Sequence, residues 1–331
     1  MQDVIRGYLK QAKIGRKQAH KNLAIFPILS PYAAAVDYML LDQALTEELI
    51  RIVEVDESGS VPELKVVNRS PKKVLILDGE ELVGAKQNRI VNITILIQEK
   101  STTVIPVSCV EQGRWSYDSP RFHSPKRMMS SGLRAMKAEQ VSHQVRSTGR
   151  YQADQSEIWE EISDKAVRME ADSPSMAMGV MYEKEQARLE KYVNHFRLVD
   201  MQVGAVFAIN GKVVGLDSFA KPETCAGVFK KLVQSYALDA IDWFDPKEEA
   251  KVLKGDVTKF LKASDKTELE SRPSVGLGTD YRMTSNKLTG FALALDDQVL
   301  HVSIFATRNG HRRDQDVPRL RRFSSRRRSR S

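Results

Sequence analysis

Strand-like runs fall into two blocks of this chain, with helical periodicity between them, and that grouping constrains the fold more than any other feature. In the first block, runs at residues 22–29 and 35–41 flank a Ser30-Pro31 turn. Further β-branched runs follow at 50–55, 63–67, 74–77, 90–97 and 103–110. Glycine and charged residues punctuate them, as they do between the strands of a compact antiparallel sheet or sandwich. Within 90–97, Val91, Ile93, Ile95 and Ile97 share one parity while Asn92 and Thr94 take the other, which predicts a half-buried strand. A short helix is predicted over 42–49, with Asp42 as its cap.

From Tyr117 to Gly149 apolar content falls and Ser, Arg, Lys and Gln dominate, so the stretch reads as a connector or flap with a weak helix around Met128, Met129, Leu133 and Met136. Helical periodicity returns over 155–170 and 181–196. The second β block opens with a hairpin, 203–209 and 212–216, around the two-residue turn Asn210-Gly211. Amphipathic helices are predicted at 222–240, with Phe229, Leu232, Val233 and Tyr236 on one stripe, and at 246–262. A last hairpin pairs 288–295 with 299–305. Strands gathered in two blocks imply an α+β fold rather than a doubly wound α/β one. The expected organisation is a polar lead-in (1–21), a body (22–306) and an Arg/Ser-rich tail (307–331). The body divides into a β-rich part (22–116), a helical connector (117–197) and a second α+β part (198–306).

The net charge of +8 belongs to the tail, which holds ten arginines and two aspartates and leaves the body balanced. A basic composition is therefore no ground for calling the body a nucleic-acid binder. The tail has almost nothing to bury and reads as disordered. It could hold nucleic acid or an acidic protein, serve as a nuclear address, or be an unselected appendage. Two cysteines, Cys109 and Cys225, exclude a disulfide scaffold and fit a reducing compartment. The six histidines show no metal-ligand spacing, no apolar run is long enough to cross a bilayer, and the N-terminus lacks the apolar region of a secretory signal. The expectation is a cytoplasmic protein without a metal site.

Chemistry concentrates between Leu75 and Trp115. Asp78, Glu80, Glu81, Lys86, Gln87, Asn88 and Arg89 stand between apolar runs, and Cys109, Glu111, Gln112, Arg114 and Trp115 close the stretch. Long hydrogen-bonding side chains lose rotamer entropy when ordered, so their concentration at strand tips points to a site. Lys86 and Arg89 with Gln87 and Asn88, just after Gly84, suit a phosphate or carboxylate beside hydroxyl groups. Asn92 is grouped with them. Gly84 could allow close approach to the backbone, and Arg114-Trp115 could hold an anion and stack on a ring. Neighbours on a strand point to opposite faces, so Glu80 pairs better with Glu111 than with Glu81 as an acid–base couple, against the plainer role of neutralising nearby cations. Cys109 shares parity with Ile105 and Val107, which signals burial. Arg114 falls one position short of the spacing that a phosphatase-type cysteine loop requires. Gly276-Leu277-Gly278 lacks the third glycine of a dinucleotide fingerprint, so no cofactor is named; Thr279, Asp280 and Arg282 remain candidates for a second half of the site.

The motifs DGEELVGAKQNRIVN and IPVSCVEQGRW resemble the ADP-ribosylglycohydrolase- and rhodanese-phosphatase-associated protein domain, with weaker similarity through QVGAVFAINGKVVGLDSF and SVGLGTDYRM to LHVSIFA, about 22–306. The resemblance implies a domain that accompanies enzymes of NAD and ADP-ribose metabolism, and hence an ADP-ribose-like small molecule as partner. It brings no catalytic residues with it. The reading that follows is a ligand-binding or processing domain for an ADP-ribose- or NAD-related nucleotide, with hydrolysis or group transfer at a phosphorylated ribose as the chemistry. The rivals are a non-catalytic scaffold acting through its tail, and sulfur or phosphoryl chemistry at Cys109.

Overall fold

A computed structural model describes residues 2–56, 59–246 and 251–307. Nearly all of the tail, and so every expectation about it, lies outside the described residues. What is described is α+β, with three sheets.

The largest sheet has nine strands, all paired antiparallel. Its order is Lys13–Ile14, Leu23–Leu29, Gln202–Ile209, Lys212–Phe219, Gln298–Ala306, Leu288–Leu295, Thr279–Thr284 and Glu268–Pro273, with Gln18–His20 alongside Leu23–Leu29. Successive residues of Leu23–Leu29 serve different cores. Leu23 and Ile25 face the helices Ser131–Thr148 and Pro222–Asp242, whereas Ala24, Phe26 and Ile28 join the core that also takes in Ile5, Tyr8, Val257 and Phe260 of the helices Gln2–Lys10 and Lys254–Ser264. A sheet covered on both faces needs unbroken apolar strands, which is why these runs do not alternate. Both predicted hairpins form. Asn210 and Gly211 both take positive φ, as a tight hairpin turn demands, and so do Asp296 and Asp297. The expected stripe of Pro222–Asp242 is buried, and proline opens that helix.

A three-stranded sheet joins Ile95–Ile97, Lys73–Ile76 and Tyr38–Leu40. The third sheet runs Phe122–His123, Glu81–Gly84, Arg89–Val91, Ser101–Cys109, Glu63–Asn68, Ile50–Glu54. It curls until its two edge strands meet, with Ile50, Arg51, Phe122 and His123 lining a cleft of about 150 Å³ where they do. Ile50, Ile52, Leu64, Val66, Leu82, Val91, Ile105 and Val107 fill its inside.

Four local expectations change. Residues 90–97 are two strands in different sheets, broken at Asn92–Thr94. They are buried throughout because Asn92 and Thr94 find internal partners: Ser108 Oγ donates to Asn92 Oδ1 at 2.8 Å, and Thr94 Oγ1 lies 2.8 Å from His301 Nδ1. Asp42 sits in the first turn of the helix Leu41–Thr46 without capping it; its carboxylate takes Lys231 and Ser124 instead. The stretch before Asn22 is structured, with Ile5 and Tyr8 of its helix buried.

The fourth change is the largest. The helix Ser131–Thr148 is core, not flap: Leu133, Met136, Ala138, Val141 and Val145 are buried, and so are Arg134 and Lys137. Arg134 Nη2 donates to Asp217 Oδ1 at 2.7 Å and its Nε to Asp78 Oδ2 at 3.3 Å. Lys137 Nζ meets Asp78 and donates to the carbonyls of Val91 and Asn92 at 3.1 and 2.9 Å. Asp217 also accepts from Tyr236 OH and Ser303 Oγ, both at 2.8 Å. One helix thus cross-links Asp78, beside the curled sheet, to Asp217 of the large sheet.

Candidate functional site

The candidate residues gather at one end of the curled sheet. On the strand Ile50–Glu54 the inward parity is Ile50, Ile52, Glu54, and on the neighbouring strands Val91 is followed outward by Arg89 and Val107 by Cys109. Arg89 and Cys109 are direct cross-strand partners. The inside of the sheet is therefore apolar in its depth and polar at this mouth, where Glu54, Arg89 and Cys109 converge.

A turn between Glu81–Gly84 and Arg89–Val91 supplies the next residues. Gly84 has φ +128°, and a Cβ there would stand 2.6 Å from both Arg121 O and Ser119 Oγ. Its missing side chain thus serves packing against 119–121. Gln87 Oε1 accepts from Arg89 Nη1 at 3.2 Å and from Cys109 Sγ at 3.1 Å. Asn88 N donates to Glu111 Oε2 at 3.1 Å, and Asn88 Oδ1 accepts from Arg114 Nη2 at 3.1 Å. Arg114 clasps Glu111 Oε2 through Nε and Nη2, at 3.0 and 2.7 Å. Burial pushes the Glu111 carboxyl up, but hydrogen bonds from Arg114, Ser175 and Asn88 N outweigh it and leave the group below the usual carboxylate range. These contacts favour the ionised form of Glu111 and tie it to Arg114.

Trp115 and Tyr117, both about half exposed, form the rim. Lys86 Nζ lies 5.4 Å from the Trp115 ring centroid and 5.2 Å from that of Tyr117, and the Arg89 guanidinium lies 5.7 Å from the Trp115 ring.

Arg89 is the anomaly. It has no exposed surface, and its Nε and Nη2 have no hydrogen-bond partner. These two nitrogens point the same way and make the side-on fork of a guanidinium. Elsewhere in this molecule the same fork closes on a carboxylate: Arg114 on Glu111, Arg127 on Glu81, Arg168 on Asp242 and Arg282 on Asp280. Burial pulls the Arg89 guanidinium below the usual arginine range, with Cys109 and Glu54 acting the other way. Leaving such donors unmet costs roughly 1–3 kcal/mol each, and more for a charged group.

Other expected residues lie apart. Glu80 is buried against Lys231 and accepts from Leu77 N at 2.7 Å, so it shares no partner with Glu111. Glu81, held by Arg127, feels the field of Glu111. Burial raises both Glu80 and Glu81 despite their cations. Asn92 belongs to the interior, donating to Tyr151 O at 3.1 Å. Asp280 and Arg282 pair with each other on the large sheet. Cys109 is buried, and burial pushes its thiol up to about 11, which opposes a nucleophilic thiolate. The sequence reading missed Glu54 and Tyr117. Glu54 sits at a position where alternation calls for an apolar residue, and that was the available signal.

The described residues form an α+β protein in which two buried cations, Lys86 and Arg89, lie beside the half-exposed rings of Trp115 and Tyr117. The model of the ARG and Rhodanese-Phosphatase-superfamily-associated Protein domain, ARPP-1, matches residues 11–305, and the chain belongs to this family. No match was found among curated proteins or solved structures. Among the described residues no helix is long and apolar enough to cross a membrane.

Proposed function

We propose that the mouth of the curled sheet binds an ADP-ribose- or NAD-related nucleotide for hydrolysis or group transfer at its phosphorylated ribose. The observation that carries this reading is the buried, unmet fork of Arg89. An oxyanion docking there would supply two parallel charge-assisted hydrogen bonds, the geometry in which arginine holds phosphate best. Lys86 and Arg114 add positive charge, Trp115 and Tyr117 offer faces for a base, and Gln87 and Asn88 order the turn. In this reading Glu111 holds Arg114 in place and Glu80 anchors the start of the motif through Lys231. The family's association with ADP-ribosylglycohydrolases and the rhodanese-phosphatase superfamily agrees with such a ligand.

Calorimetric titration of the full chain with ADP-ribose, NAD and an unrelated nucleotide is the test, beside Arg89→Met. The expected result is selective micromolar binding that weakens at least about 100-fold in the variant. Absence of heat with all three from folded protein would turn the assignment toward an interaction surface.

A further inference from the structure

Arg89 is not the only residue at the mouth with buried polar atoms that lack a hydrogen bond. Among the described residues ten buried side-chain nitrogen or oxygen atoms lack a hydrogen bond, and three of them are Arg89 Nε, Arg89 Nη2 and Glu54 Oε2. Glu54 is 7% exposed and points inward at the end of its strand. Its other oxygen, Oε1, accepts from Lys86 N at 3.4 Å, which fixes the carboxylate on the turn that carries the cations. A Cβ on Gly59 would stand 3.4 Å from Lys86 Nζ and 3.6 Å from Glu54 Oε2, so the ammonium and the carboxylate oxygen both border Gly59.

Opposite charges that share one small interior normally close on each other, as Arg134 does on Asp78 and Asp217. Glu54 and Arg89 feel each other's field, yet the Arg89 fork stays unmet and so does Glu54 Oε2. A free acceptor set apart from a free donor pair is the complement of one ligand that carries an oxyanion and a hydroxyl. Buried atoms of opposite hydrogen-bonding sense, here two donors and one acceptor, are costly to leave empty and inexpensive to fill together.

We propose that Glu54 Oε2 accepts a hydrogen bond from a hydroxyl group of the same ligand whose oxyanion docks on Arg89, so that the site selects a phosphorylated sugar over a bare anion. This rests on the reading of the mouth as an oxyanion site and adds its selectivity. Glu54 is a specificity-determining residue. Its charge repels an anion that brings no donor and rewards one that does.

Ribose 5-phosphate and sulfate serve as probes, since sulfate carries no hydroxyl at neutral pH. Both are titrated calorimetrically into the full chain and into Glu54→Gln, Glu54→Leu and Arg89→Met. Ribose 5-phosphate is expected to bind more tightly than sulfate. Its affinity should fall about tenfold in Glu54→Gln, where a neutral acceptor replaces a charged one, and further in Glu54→Leu. Sulfate should bind both Glu54 variants as well as or better than the wild type, because a repelling charge is gone. Opposite movement of the two probes is the signature, and misfolding would move them together. Unchanged ribose 5-phosphate affinity in a folded Glu54→Leu, with loss in Arg89→Met, overturns the role of Glu54 and leaves the oxyanion site standing. If Arg89→Met binds both probes like the wild type, the oxyanion site itself fails, and this inference with it.

Discussion

Two arginines of this protein are equally buried and differ in almost everything else. Arg134, on the central helix, has every nitrogen engaged, with Asp78, Asp217 and Ser303 around it. Arg89, at the mouth of the curled sheet, spends one nitrogen on Gln87 and leaves its fork unmet. The opposing carboxylates hold the Arg134 cation firmly protonated against the cost of burial, whereas burial dominates at Arg89. Burial of a charge therefore does not mark function. Arg89 is proposed as a ligand contact instead because the fold leaves its buried donors unmet, and nothing in the fold offsets their burial.

The widest separation of the two comes from deleting each in turn. Arg134→Met removes the cation that two buried carboxylates share and should cost about 3–5 kcal/mol, enough to unfold a marginal protein, as read by urea denaturation. A mild effect there would mean that the network is not what holds the two sheets together. Acidification gives the next largest effect. Burial lowers His301 below its ordinary value, against its hydrogen bond to Asp217. As pH falls below about 6.5 the unfolded chain takes up this proton first, so stability is lost at up to about 1.4 kcal/mol per pH unit. Buried acids whose values are raised, such as Glu80 and Asp280, act in the opposite sense. The comparison is therefore wild type against His301→Gln, whose stability curve should be the flatter of the two. The smallest effect belongs to Arg89→Met, which should change stability by less than about 1 kcal/mol, or raise it, while abolishing ligand binding. Large destabilisation there would recast Arg89 as a structural residue.

The sequence disclosed the fold best where one physical signal acted alone. The Asn210-Gly211 turn, the apolar strands of the large sheet and the stripe of Pro222–Asp242 were all legible on their own. The helix Ser131–Thr148 showed only as a weak helix in a connector, because Arg134 and Lys137 occupy its buried side and erase the apolar periodicity that announces a core helix. The strands Glu268–Pro273 and Thr279–Thr284 were opaque, rich as they are in Glu, Arg, Thr and Ser. At the site, density of polar residues located the turn around Gln87 and the Glu111–Trp115 segment. It could not foresee that Glu80 and Asn92 turn away to Lys231 and Tyr151, since those partners are far along the chain. Nor could it bring in Glu54, which only the curl of the sheet carries to the mouth.

The pairing of Leu23–Leu29 with Gln202–Ile209 has a consequence for how the protein is made. A ribosome delivers the first of these strands long before the second. At about 5–20 residues per second, the apolar segment LAIFPIL waits roughly 10–40 s for its partner. Its near neighbours Lys13–Ile14 and Gln18–His20 can shield one edge in that interval, but the other stays open to any passing strand. Newly made chains should therefore depend on chaperones more heavily than the finished protein's tightly cross-linked interior would lead one to expect.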